Sequence, residues 1–218
     1  MGKISDFLTH TGYRHYVVRK LLGFAGIDLD GMLRRTGYSF EALDRVELYK
    51  AWEKFLSSQP VSEFQALEIS PGENSNWARH GFKTYHAKQY PDFDICSMTL
   101  PLQFDLIIAD NVFEHLRKPY AAAKNIFYML KNGGIFLIST PFLIRVHGAP
   151  YDFNRWTEDG MRGFLEDSGF RKDAIAVGSW GNRKAVKASF DEFPYVGWGK
   201  DMRNEPDFPV MVWAIARK

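Results

Sequence analysis

Two short stretches carry most of the side chains that could do chemistry. In the first, the apolar run Phe104-Asp105-Leu106-Ile107-Ile108-Ala109 leads into Asp110-Asn111-Val112-Phe113-Glu114-His115, bringing two carboxyl groups, an amide and an imidazole close together. The second is His147-Gly148-Ala149-Pro150-Tyr151-Asp152-Phe153-Asn154-Arg155-Trp156-Thr157. Imidazoles titrate near neutral pH, and His, Asp and Arg on one irregular segment can form a polar cluster that orients a ligand. Each stretch also has a plainer reading. Glu114 can be a capping acid beside a packed His115, and Asp152 with Arg155 can be an ion pair that pins its own loop. A third stretch, Leu67-Glu68-Ile69-Ser70-Pro71-Gly72, ends an apolar run in an acid and a tight turn of small residues.

For these stretches to act together, strands must deliver them to one edge. Phe64 to Ile69, Phe82 to Ala87, Phe93 to Cys96, Phe104 to Ala109 and Ile135 to Ser139 read as strands, with helices over about 74–80 and 119–130 between them. Gly81 and Gly133-Gly134 stand where those helices stop. Strands alternating with helices predict a parallel sheet with right-handed crossovers, and such sheets bind ligands outside the carboxyl ends of their strands. Pro141 to Trp156 reads as a long irregular loop, followed by a helix from Glu158 to Asp167 with Thr157 as its cap and Gly169 as its stop. Ala174 to Val177 and Val210 to Ala216 read as the last strands. Between them lie about thirty residues rich in Gly, Pro and aromatics, longer than a plain connection needs.

Upstream, residues 1–60 read as a helical extension. Ser39 is placed to cap a helix carrying Phe40, Leu43, Val46, Tyr49, Trp52, Phe55 and Leu56 on one face, and Pro60 closes it. Such helices either pack on the sheet or wall the ligand pocket. The expected division is a helical extension or lid at 1–60 and an α/β domain at 61–218, with a substrate-side insertion at about 178–209.

Composition narrows the function classes. A formal charge of +2, from 28 basic and 26 acidic residues, gives no electrostatic footprint for nucleic acid or an anionic membrane. The single Cys96 cannot form an intrachain disulfide, and no Cys/His pairs stand at zinc-site spacing. No stretch approaches the apolar length of a membrane span, and Met1 to Gly12 lacks the apolar run of a secretion signal. Asp6 stands where an N-myristoylation motif wants Ser or Thr. A cytoplasmic protein with a small-molecule partner is expected. Aromatic residues make up 16% of the chain, and Trp77, Trp156, Trp180 and Trp198 fall near turns, where they suit core packing or a flat or sugar-like ligand.

Taken in order, the motifs from roughly Glu63 to Phe170 resemble the class I methyltransferases that use S-adenosylmethionine (SAM). The resemblance implies a Rossmann-like, doubly wound, mostly parallel seven-stranded sheet with its last strand antiparallel. It carries onto Glu68 the acid that helps hold the methionine end of SAM, with Ser70, Gly72 and Asn74 at the three glycine positions. Asp94 and Ile95 take the adenine-binding place, and Asp110 and Asn111 complete the cofactor set. The family's ribose-binding acid has no counterpart in Tyr85-His86-Ala87-Lys88-Gln89. Glu114-His115 resembles the Glu-His pair of many small-molecule members, and Leu130-Lys131-Asn132-Gly133-Gly134 resembles an architectural turn.

The stretch from His147 resembles a segment after the fifth strand in a bacterial branch, where the loop faces the substrate. Tyr151, Asp152, Arg155 and Trp156 are therefore implied to bind the acceptor, with His147 and His115 as candidate general bases. Metal-using oxygen methyltransferases place an acid where this chain has Thr140-Pro141, so no metal is expected. The function implied is in-line methyl transfer to a small polar acceptor, a hydroxyl of a sugar or metabolite. Two other readings stay open. A degenerate methyltransferase fold could serve as a binding module, since Ser70 and Asn74 replace glycines and the ribose acid is missing. A nicotinamide oxidoreductase would need glycines at Ser70, Gly72 and Ser75, and only Gly72 fits.

Overall fold

The apolar runs pair side by side in a computed structural model that describes residues 35, 42–72, 75–148, 150–191 and 201–218. Six strands form one sheet among these residues: β1 (Gln65–Ile69), β2 (Thr84–Lys88), β3 (Phe104–Asp110), β4 (Leu130–Pro141), β5 (Ile175–Trp180) and β6 (Met211–Arg217). Their order is β2-β1-β3-β4-β6-β5. β1 to β4 run parallel, and β6 lies antiparallel to both β4 and β5. All the parallel strands therefore end at one edge, where the polar turns emerge.

Alternation along the strands divides the core into two faces. Leu67, Ile69, Ile107 and Ala109 point to one side, where α2 (Pro119–Met129) and α3 (Glu158–Asp167) pack with Ile126, Phe164 and Leu165. Ala66, Leu106 and Ile108 point to the other, covered by α1 (Leu43–Leu56) with Leu48, Trp52 and Leu56. Thr157 caps α3 by accepting a hydrogen bond from the Gly160 amide at 3.1 Å, and Gly169 follows the helix with φ +113°. Beyond β5 lies the helix α4 (Arg183–Asp191). No helix among the described residues is long and apolar enough to cross a membrane.

Three expectations are corrected. Among the described residues the sheet has six strands rather than seven, because Phe93 and Asp94 are irregular and Ile95-Cys96 enter a turn instead of a strand. The Asp94 carboxylate accepts from the Cys96 amide and the Ser97 hydroxyl, each at 2.9 Å, and its carbonyl accepts from the Met98 amide at 2.8 Å. Those groups are used locally and do not extend the sheet beyond β2. The helix expected over 74–80 is a single 3-10 turn, Trp77–Arg79, with Trp77 buried against Trp52 at 5.4 Å between ring centroids; Asn74 lies outside the described residues. α1 begins at Leu43, and its innermost stripe is Asp44, Leu48, Trp52 and Leu56. Tyr49 and Phe55, expected on the inner face, are half-buried at its flanks. The expected cap Ser39 and Trp198 also lie outside the described residues.

Candidate active site

Two tight turns open the carboxyl edge of the sheet. Ser70, just past β1, has φ +50°, and Asn111, just past β3, has φ +54°. Left-handed backbone costs a side-chain-bearing residue energy, and such positions concentrate at ligand sites. Both turns are tied to neighbouring strands: the Ser70 amide donates to the Lys88 carbonyl at 2.7 Å, and the Asn111 amide donates to the Ser139 hydroxyl at 3.0 Å.

Between these turns and the chain from Pro150 to Phe153 lies a cavity of about 960 Å³. Of the residues assigned to SAM, Ser70, Asp94, Ile95 and Asn111 line it. Glu68, Gly72 and Asp110 are not among its lining residues. Glu68 is buried and accepts from the hydroxyls of Ser75 and Tyr85. Burial raises its pKa despite those donors, and burial together with Glu68 pushes Tyr85 up to about 12. Asp110 accepts from Tyr49 at 2.8 Å and from Ser139 at 2.7 Å, with the Arg45 guanidinium 3.6 Å away. It joins β3 to α1. Gln89 and Tyr90 line the cavity just past β2, where the family's ribose acid would stand. Their place after a strand was the only signal for them, since neither is an acid.

The lining fits SAM on three counts. The volume lies in the range of small-ligand pockets, roughly 300 to 1,000 Å³. The Asn111 side-chain nitrogen is buried without a hydrogen-bond partner, a cost that a ligand acceptor would relieve. Asp94 presents a carboxylate at the wall, and carboxylate oxygens accept more than one donor.

The loop after β4 is fastened to the turn after β3. The Phe153 amide donates to the Glu114 carbonyl at 2.7 Å, and the Asn154 side chain donates to the carbonyls of Phe113 and Leu116. His115 Nδ1 lies 2.5 Å from the Tyr151 carbonyl, which can only accept, so Nδ1 carries the proton. This docking stacks the His115 and His147 rings with centroids 5.0 Å apart. Burial, then the neighbouring His115, holds His147 below the ordinary imidazole pKa. Glu114 is fully buried with no hydrogen-bond partner at either carboxylate oxygen, and burial pushes it up to about 8.

Among the acceptor-side residues, Tyr151 and His115 line the cavity. Asp152 and Arg155 instead pair with each other, and Asp152 also accepts from the His147 amide at 2.8 Å. Burial works to raise Asp152, but Arg155 outweighs it and keeps the carboxyl below its ordinary range. Trp156 packs against Phe164 with centroids 5.0 Å apart, on the core side.

A family model described as a methyltransferase domain matches residues 25–174. No curated protein matches the chain. Among solved structures, the CurJ carbon methyltransferase shares 13% identity over 80% of this chain and 53% of its own, with a TM-score of 0.51. Phosphoethanolamine N-methyltransferase 2 of Haemonchus contortus, in complex with SAM, shares 12% over 78% of this chain and 52% of its own, at 0.50. A SAM-dependent methyltransferase of Mesorhizobium loti shares 14% over 77% of this chain and 97% of its own, at 0.49.

Proposed function

Since this chain belongs to the methyltransferase-domain family and is a SAM-dependent methyltransferase, we propose that it methylates a hydroxyl of a small polar acceptor such as a sugar or metabolite. One observation carries this reading: a single cavity is walled by the strand-end turns on one side and by His115, Tyr151 and Phe153 on the other. Ser70, Gln89, Asp94, Ile95 and Asn111 would hold the cofactor. When bound, SAM would supply an electrophilic sulfonium methyl group for transfer to an aligned acceptor oxygen.

The chain's own work is placement, exclusion of water and handling of one proton. Tyr151 and Phe153 offer aromatic surface to a sugar-like ring. Bringing the acceptor oxygen within about 3 to 3.5 Å of the methyl carbon supplies much of the acceleration. His115 on the cavity wall, with His147 stacked against it, draws the hydroxyl proton away. His147 is neutral at pH 7 because its pKa lies below the ordinary imidazole value, which suits proton acceptance. Asp152 and Arg155 act as positioning residues by fixing the His147 backbone.

The reading is tested with purified protein and S-adenosylhomocysteine (SAH), followed by methyl transfer to a panel of polar hydroxyl compounds. His147→Ala should leave SAH affinity within about twofold and cut turnover by ~10² or more. Abolished SAH binding in a folded His147→Ala variant would move the residue to the cofactor and overturn the assignment.

A further inference from the structure

We infer that Glu114, His115 and His147 form a binding site for one divalent first-row transition-metal ion at the acceptor end of the cavity. One ligand atom from each residue lies within 4.8 Å of the others, and His115 Nε2 stands 3.5 Å from a Glu114 carboxylate oxygen. An ion about 2.0 to 2.2 Å from each donor holds neighbouring donors roughly 3 Å apart and opposite ones roughly 4 Å apart. Small side-chain rotations close the remaining distance.

Three features build the site. The Glu114 carboxyl is fully buried, neither oxygen has a hydrogen-bond partner, and its ion-pair contact is the His115 ring at 3.5 Å; buried carboxylates are ordinarily hydrogen-bonded, paired or bound to metal. The Nδ1 proton of His115 goes to the Tyr151 carbonyl. That bond fixes the tautomer whose Nε2 lone pair is available, as in imidazoles that ligate metals. The backbone of His147 is set by Asp152, which Arg155 holds in turn.

Two imidazoles and one carboxylate suit manganese, iron, cobalt or zinc better than magnesium or calcium, which favour oxygen ligands. Three protein ligands leave coordination positions for water or acceptor oxygens, and His115 already lines the cavity. An acceptor hydroxyl bound there would give up its proton to solvent water more readily, and the two imidazoles, with lone pairs on the ion, would act by holding it rather than by taking the proton themselves. The chain spacing gives no warning of this site, because His147 reaches Glu114-His115 only through the docked loop.

Calorimetry with Co²⁺ on the chelator-stripped full chain, with visible absorption read in parallel, tests the site without SAM or acceptor. One equivalent should bind with a dissociation constant in the micromolar range. Glu114→Gln and His147→Ala should each weaken it by ~10²-fold, and Asp152→Asn by ~10-fold. His86→Gln, on β2 away from the cluster, should bind like the parent. His147 lies on an irregular loop, so its variant carries the test if Glu114→Gln does not fold. No Co²⁺ uptake by the parent, or unchanged uptake by folded ligand variants, overturns the site and leaves Glu114 paired with His115 alone. SAH titrated into the same samples separates the two proposals: SAH binding without Co²⁺ binding sinks only the metal site, and the converse sinks only the cofactor reading.

Discussion

Asp94 and Glu68 are both acids at the binding edge, and their surroundings give them different work. Asp94 lines the cavity while capping the Cys96 amide and the Ser97 hydroxyl. Asp94→Ala is expected to weaken SAH binding by about 1 to 3 kcal/mol, as when a ligand donor loses its buried acceptor; calorimetry reads it. Glu68 is spent on Ser75 and Tyr85, so its contribution goes to stability. Its folded pKa is raised, chiefly by burial. The unfolded chain gives up that proton near the ordinary carboxylate value, while the fold keeps it to higher pH. Over that interval the folded state binds more protons, so stability falls as pH rises, and the slope ends above the raised pKa. Glu68→Gln should flatten this part of the profile of melting temperature against pH. A Glu68→Gln profile as steep as the parent's would place the titration elsewhere. The sequence matched Glu68 by position in a motif. It could not show that Tyr85, on the neighbouring strand, claims the carboxylate.

At the scale of elements, legibility followed the source of each element's order. The strands at Phe104 to Ala109 and Ile135 to Ser139 were readable because both faces are buried, leaving unbroken apolar runs. The irregular stretch from Phe93 to Cys96 was not, because it depends on where one carboxylate points. The inner face of α1 was ambiguous for another reason. Leu43, Val46, Leu48, Tyr49 and Trp52 spread apolar surface around the helix, and only packing on the sheet selects Leu48. The loop after β4 owes its position to a few polar bonds, with Asn154 making two of them from one amide nitrogen. Asn154→Ala should cost about 1 to 3 kcal/mol of stability by stranding the Phe113 and Leu116 carbonyls. It should also raise the acceptor's KM while SAH affinity holds. Denaturant unfolding and steady-state kinetics check the two halves separately, and an unchanged KM would mean that the loop does not present the acceptor.

Across the whole molecule, the order of motifs was enough to foresee a sheet with its ligand edge, whereas the site assembles by contacts that cross between elements. His115 meets His147, and Asp110 meets Tyr49 of α1, over separations that no local pattern encodes. The second meeting forms a continuous chain of bonds. Tyr49 donates to Asp110, and the Ser139 hydroxyl lies within bonding distance of Asp110, of the Asn111 side-chain oxygen and of the Asn111 amide. A molecule settling against Asn111 therefore touches the far end of a lever whose near end is a helix on the opposite face of the sheet. Local opening of α1 should become rarer when the cavity is filled, since opening would break bonds that the ligand helps to hold. Amide hydrogen exchange across 43–56 is expected to slow on adding SAH in the parent. In Ser139→Ala, which removes the shared hydroxyl, SAH should still bind but the exchange of α1 should no longer register its arrival.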